Sequence, residues 1–210
     1  MGLDSMLYSV PKFGDCTPLQ IYTGCHYLAF LVNGQDPDDF YRYTNLNTSD
    51  LPPGDVMTKL ASYGFTGDSY KQSAAMKEIA YWRGDWDIHR FFVSQTQHGE
   101  DDCRPHDPVS FDQIKALRAL LVEELDRKEL REGNVIHALD LNGDPIQISA
   151  VVAGDCWEGT VEIPVGSNIW FGQDYYDADE VERLRNSVAK LGDVQNQWDD
   201  DRLVFYLSSW

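Results

Sequence analysis

The stretches 3–9 and 19–32 are rich in β-favouring and aromatic residues and are punctuated by Gly14, Pro18, Gly24 and Gly34, which predicts β structure there. The segment 34–55 is rich in Asp, Asn, Pro and Gly and reads as a surface loop with short ordered pieces. A short helix follows over 55–63, stopped by Gly64. From 73 to 97 the apolar residues Ile79, Trp82, Trp86 and Val93, with His89, recur at helical spacing, and Tyr81, Ile88 and Phe92 widen that face. Gly84 weakens a continuous helix by about 1 kcal/mol relative to Ala.

Ser110 and Gln113 form a capping-box pattern that opens a helix to about 131, with Ile114, Leu117, Leu121 and Leu125 as its stripe. Gly133 is a stop signal. Residues 134–152 predict two strands around the hairpin dipeptide Asn142-Gly143. Further strands are expected over 159–172. Asp177 caps a last helix striped by Val181, Leu184, Val188 and Leu191, and RLVFYLSSW reads as a final strand. Strands and helices without a regular βαβ rhythm predict one α+β domain over 1–210. A mixed or antiparallel sheet would pack on about three helices.

Charge narrows the function. Seventeen Lys and Arg stand against 35 Asp and Glu, a net charge of −18. Direct nucleic-acid binding and attraction to anionic membranes both need the opposite sign. No run approaches the roughly 18–20 apolar residues of a membrane span, and MGLDSMLYSV lacks the basic n-region of a signal peptide. Four scattered cysteines (Cys16, Cys25, Cys103, Cys156) suit a reduced cytoplasmic protein better than a disulfide scaffold.

The chain carries no GxSxG, P-loop, GxGxxG or HExxH motif. Cys25-His26 and Cys103-x-x-His106, with Cys156 and His137, supply zinc-ligand types without paired CxxC spacing. Asp140-x-Asn142-x-Asp144 begins like a calcium loop, but Val151 stands where the bidentate Glu belongs. No metal or cofactor is therefore expected. His89 lies near Asp85 and Asp87, and Asp85 stands four residues before it. On a helix that pair could set up a general base, the centre of a small enzyme. A helix-surface ion pair beside a core explains the same residues.

The acid excess concentrates in two segments. Asp36, Asp38 and Asp39 open the first, with Asp50 and Asp55 behind them. Asp174, Asp177, Asp179, Glu180, Asp199, Asp200 and Asp201 dominate the second. On one shared face these groups would form a negative patch that steers a basic partner. On separate faces they would chiefly keep the protein soluble.

Several segments recur together in order: Gly2-Leu3-Asp4 with Leu7-Tyr8, EIAYWRGDWDIHRFFV at 78–93, GEDDC at 99–103, NIWFGQDYYD at 168–177 and FYLSSW at 205–210. As a set they resemble a family of small tailed-bacteriophage proteins of unassigned function that open with Gly-Leu-Asp and end in Ser-Ser-Trp. Residues 34–72 and the hairpin around Asn142-Gly143 depart from that pattern. The resemblance implies a phage gene product working in the cytoplasm of a bacterial host, and it carries over no catalytic residues. In that context the expected role is an accessory protein that binds a bacterial host protein through its acidic surface. The sharpest form is a counter-defence inhibitor or DNA mimic directed at a basic DNA-binding or defence protein. The alternative is a nucleotide-like ligand held in an aromatic pocket. Tyr81, Trp82, Trp86, Trp170, Phe171 and Trp210 would form its walls, with Arg83, His89, Arg90 and Gln173 as polar contacts. The same aromatics would equally serve as core.

Overall fold

The computed structural model describes residues 3–44, 46–64, 75–132, 136–139, 145–148 and 178–209. Its elements in chain order are β1 (Asp4–Pro11), α1 (Pro18–Val32), α2 (Phe40–Thr44), α3 (Gly54–Ser62), β2 (Lys77–Arg83), α4 (Trp86–Thr96), α5 (Phe111–Glu132), β3 (Ile136–Leu139), β4 (Pro145–Ile148), α6 (Ala178–Asn196) and β5 (Arg202–Ser209). The fold class is α+β. Contacts divide the chain into two compact units, Met1–Gln113 with Gln197–Trp210, and Ile114–Asn196.

The first unit is built on a three-stranded antiparallel sheet in the order β2-β1-β5. β1 pairs Asp4 with Ser209 at one end and Pro11 with Arg202 at the other. Its residues 5–10 are all buried, as a central strand covered on both faces requires. One face carries Met6, Tyr8, Val10, Phe205 and Leu207 into a core shared with Ile21, Tyr22 and Phe30 of α1 and Val56 and Leu60 of α3. The opposite face meets α4, where the Phe92 and Tyr206 rings stack with centroids 5.0 Å apart.

Residues 19–32, expected to be β, are helical. Thr17 caps α1, Pro18 opens it, and Thr17 and Gln20 exchange both capping-box hydrogen bonds (3.2 and 2.9 Å). Residues 21–26 are buried without a break, so the helix shows no polar face and hence no readable period. Gly24 allows this burial. A Cβ there would lie 3.0 Å from Leu60 Cδ1 and from Cγ and Cδ of Pro52. Gly24→Val is therefore expected to cost about 2 kcal/mol by overpacking, read as a lowered urea midpoint with unchanged slope.

The helix expected over 73–97 is a strand and a helix. Gly84 stands at φ +68 between them and donates its N–H to the Leu3 carbonyl at 2.7 Å. That left-handed turn is open to glycine and ends the strand. Asp85 then caps α4 by accepting from the Ile88 N–H at 3.2 Å. The helical spacing of Ile79, Trp82, Trp86 and His89 runs across this break and so describes no single face. Between α1 and α3, two 3-10 turns (Pro37–Asp39 and Thr48–Asp50) flank α2, and Phe40 is fully buried.

In the second unit Ile114, Leu117 and Leu121 of α5 are buried, as are Val181, Leu184, Leu191 and Val194 of α6. Leu125 and Val188 are half-buried. The Arg118 guanidinium donates to the Val188 carbonyl at 3.4 Å. β3 and β4 pair antiparallel with Ile136 opposite Ile148. The turn Asn142-Gly143, the stop Gly133, the cap Asp177 and the strands expected over 159–172 lie outside the described residues. The capping box at Ser110 and Gln113, just ahead of this unit, forms with both bonds (3.2 and 2.8 Å).

Candidate functional site

The pairing register places unlike groups side by side under α4. Ser5 stands opposite Trp82 on one flank and Ser208 on the other, and Leu7 stands opposite Ala80 and Tyr206. Paired residues share a sheet face, so Trp82, Ser5, Ser208 and Tyr206 all lie on the α4 side. There they join a line of buried polar contacts. The Ser5 hydroxyl is 2.9 Å from the Tyr206 hydroxyl, which is 2.8 Å from His89 Nδ1. His89 Nε2 faces Asp101 Oδ2 at 3.6 Å. Asp101 Oδ1 accepts from the Ser208 hydroxyl at 2.5 Å and from the Cys103 N–H at 2.9 Å.

A carboxylate only accepts, so the network assigns the proton of neutral His89 to Nε2. Nδ1 then accepts from Tyr206, and Tyr206 accepts from Ser5. Burial pushes the His89 pKa below its ordinary value, against the opposing pull of Asp101. Burial likewise raises the Tyr206 pKa, so its hydroxyl keeps its proton. Cys103 adopts φ +60, unusual for a non-glycine residue, in the turn that aims its N–H at Asp101.

A neutral imidazole between a carboxylate and a hydroxyl is the form of a general-base relay. Here the described line ends at Ser5 and Ser208, 0% and 1% exposed. Its work is to fix α4 and the 96–110 segment on the sheet. The Asp85–Asp87–His89 centre is corrected accordingly. Asp85 precedes the helix and its carboxylate caps it, while the carboxylate facing His89 Nε2 is Asp101. Asp101, Tyr206, Ser5 and Ser208 escaped the sequence reading. The available signal was a serine in an inward-facing position of each of two strands.

Of the described members of the aromatic set, Trp82 and Trp86 both border the polar line under α4, and Tyr81 faces away from it. Tyr81 and Trp82 alternate across β2. Trp82 is buried, whereas Tyr81 is exposed and donates to Asp4 Oδ1 at 2.6 Å. Trp86 is 48% exposed at the start of α4, with its ring edge-on to His89 at 5.9 Å. Arg83 and Arg90 are exposed. Trp170, Phe171, Gln173 and Trp210 lie outside the described residues. The zinc-type pairs are apart: Cys25 sits in the α1 core, and Cys103 borders Asp101 on the α4 side of the sheet.

Asp36 and Asp38 are exposed just past the C-terminus of α1, and Asp39 pairs with Arg42 at 3.0 Å. Asp199, Asp200 and Asp201 are exposed in the turn before β5. Asp179 and Glu180 belong to α6 in the second unit, and Asp174 and Asp177 lie outside the described residues.

The patch at β5 has neighbours that the sequence reading did not assemble. The Asp201 carbonyl accepts from the Lys12 N–H at 3.2 Å, and the Asp200 carbonyl accepts from the Lys12 ammonium. Lys12 in turn lines a cleft of about 480 Å³ with Phe13, Asp15, Cys16, Asp55 and Lys59 among its walls. The loop after β1, the start of α3 and the turn before β5 thus meet at one end of the sheet. Burial, then Asp55, then Asp15 push the Cys16 thiol pKa up. Among the described residues no helix is long and apolar enough to cross a membrane, and no group of three or more His, Cys, Asp and Glu is arranged to hold a metal. No protein-family model matches the chain, and neither a curated protein nor a solved structure matches it.

Proposed function

We propose that this chain is a phage-encoded accessory protein that acts by binding a basic protein of its bacterial host. The contact surface is the aspartate-rich end of the sheet. The observation that carries this reading is the gathering of exposed Asp15, Asp55, Asp199, Asp200 and Asp201 at that end. Two lysines, Lys12 and Lys59, stand among these five carboxylates, which leaves an excess of negative charge. A field of this sign accelerates encounter with a cationic surface and repels nucleic acid. In its most specific form the carboxylates stand in for DNA phosphates and occupy the phosphate-binding surface of a DNA-binding or defence protein.

Association should therefore weaken as salt rises from about 50 to 300 mM, over which the Debye length shortens markedly. A tagged chain is expected to capture a basic protein from host lysate at low salt and release it at high salt. The triple variant Asp199→Lys, Asp200→Lys, Asp201→Lys should abolish that capture while leaving the urea midpoint nearly unchanged, because all three side chains are exposed. Capture by the triple variant equal to the parent's would overturn the proposal.

A further inference from the structure

We infer that the cleft between the loop after β1 and the start of α3 is a socket for an arginine side chain presented by that basic partner. The inference rests on the proposed reading and adds the chemical identity of the group that enters. The cleft, about 480 Å³, falls within the roughly 300–1,000 Å³ range of ligand-holding concavities. Asp15 and Asp55 supply carboxylates to its lining, and Phe13 and Val56 supply apolar wall. The Phe13 ring is held by Tyr63, edge-on at 6.4 Å.

A planar guanidinium matches this combination better than an ammonium. It can lie flat on an aromatic ring while its N–H groups reach carboxylates to the side. Two lysines, Lys12 and Lys59, also line the cleft. The Lys12 ammonium is turned onto the Asp200 carbonyl, and the Lys59–Asp55 pair is exposed and 4.0 Å long. At Cys16 burial, then Asp55, then Asp15 make the thiol harder to ionise. The thiol is half-buried among these same residues, so an occupant of the cleft would cover it.

Cys16 therefore provides the measurement. Its alkylation by iodoacetamide at pH 8 can be followed by mass spectrometry of the full chain's peptides, with Cys103 as internal control. Triarginine amide at low salt is expected to protect Cys16 and not Cys103. Trilysine should protect less, and triglutamate not at all. Asp15→Asn with Asp55→Asn should raise the half-protecting concentration of triarginine about tenfold, the combined loss of two exposed ion pairs. Without peptide, the same variant should alkylate faster at Cys16, since more of the thiol is ionised. Unchanged alkylation in the double variant, or protection by triarginine equal in both proteins, would overturn the socket. Host-protein capture that survives Asp15→Asn with Asp55→Asn but not the Asp199–Asp201 reversal would also overturn it, leaving the broader surface in place. Arginine-specific protection in a chain that captures no basic protein would support the socket and defeat the broader reading.

Discussion

Acidification from pH 6.5 to 4.5 is expected to remove about 2 kcal/mol of stability through one side chain, His26. The imidazole sits in α1 at 9% exposure, with the Tyr22 ring 4.2 Å away. Burial lowers its pKa from 6.5 to about 3. The folded state therefore keeps His26 neutral while the unfolded chain takes up a proton below pH 6.5. The unfolded state binds more protons in that window, so stability is complete above pH 6.5 and falls as pH drops toward 3. The slope approaches 1.4 kcal/mol per pH unit. His89, also lowered by burial, acts in the same direction. Protonating surface carboxylates works the other way, because it relieves the self-repulsion of a chain with net charge −18. The informative comparison is urea unfolding at pH 7, 5.5 and 4.5 for the parent and for His26→Phe, which keeps a ring against Tyr22. The parent should lose stability more steeply than the variant. Parallel pH profiles would place the acid sensitivity elsewhere.

Tyr206→Phe should cost about 3 kcal/mol, although it removes a single oxygen. The ring can keep its stack on Phe92, so little packing is lost. What disappears is the hydroxyl joining His89 Nδ1 at 2.8 Å to Ser5 Oγ at 2.9 Å. His89 and Ser5 are 6% and 0% exposed, so water does not readily replace it. Buried groups that lose a partner pay their desolvation in full, about 1–3 kcal/mol each. Ser5→Ala alone should cost less, and the double variant less than the sum, because each change removes part of the same line. Strict additivity in a urea double-mutant cycle would show that the two hydroxyls act independently.

Elements with local signals were legible. α5 announced itself through the Ser110–Gln113 box and the spacing of Ile114, Leu117 and Leu121. α3 and β5 were equally clear from their patterns. α1 was not, because a helix buried over consecutive residues 21–26 has no polar face to set a period. The Thr17–Pro18–Gln20 start was the better signal, and the β-favouring composition behind it masked it. At Gly84 the spacing of large apolar residues continued across a chain reversal, and only the glycine marked the break. The polar line under α4 could not be read locally. His89 meets Tyr206 and Asp101 only after β1 and β5 have set the register, and neither partner has a motif. The Asp15–Asp55 cleft was hidden for the same reason, since its walls come from the loop after β1 and the start of α3, which lie far apart along the chain.

The pairing of Asp4 with Ser209 also has a consequence during synthesis. One of the two neighbours of β1, the strand β5, emerges from the ribosome about 200 residues after it. At about 5–20 residues per second, one edge of β1 waits roughly 10–40 s for its partner. The contiguous unit Ile114–Asn196 is translated within that interval and has every contact partner of its own in hand before the outer unit can close. Ile114–Asn196 can thus complete its internal contacts before Asp4 meets Ser209, and that edge of β1 stays unpaired until β5 arrives.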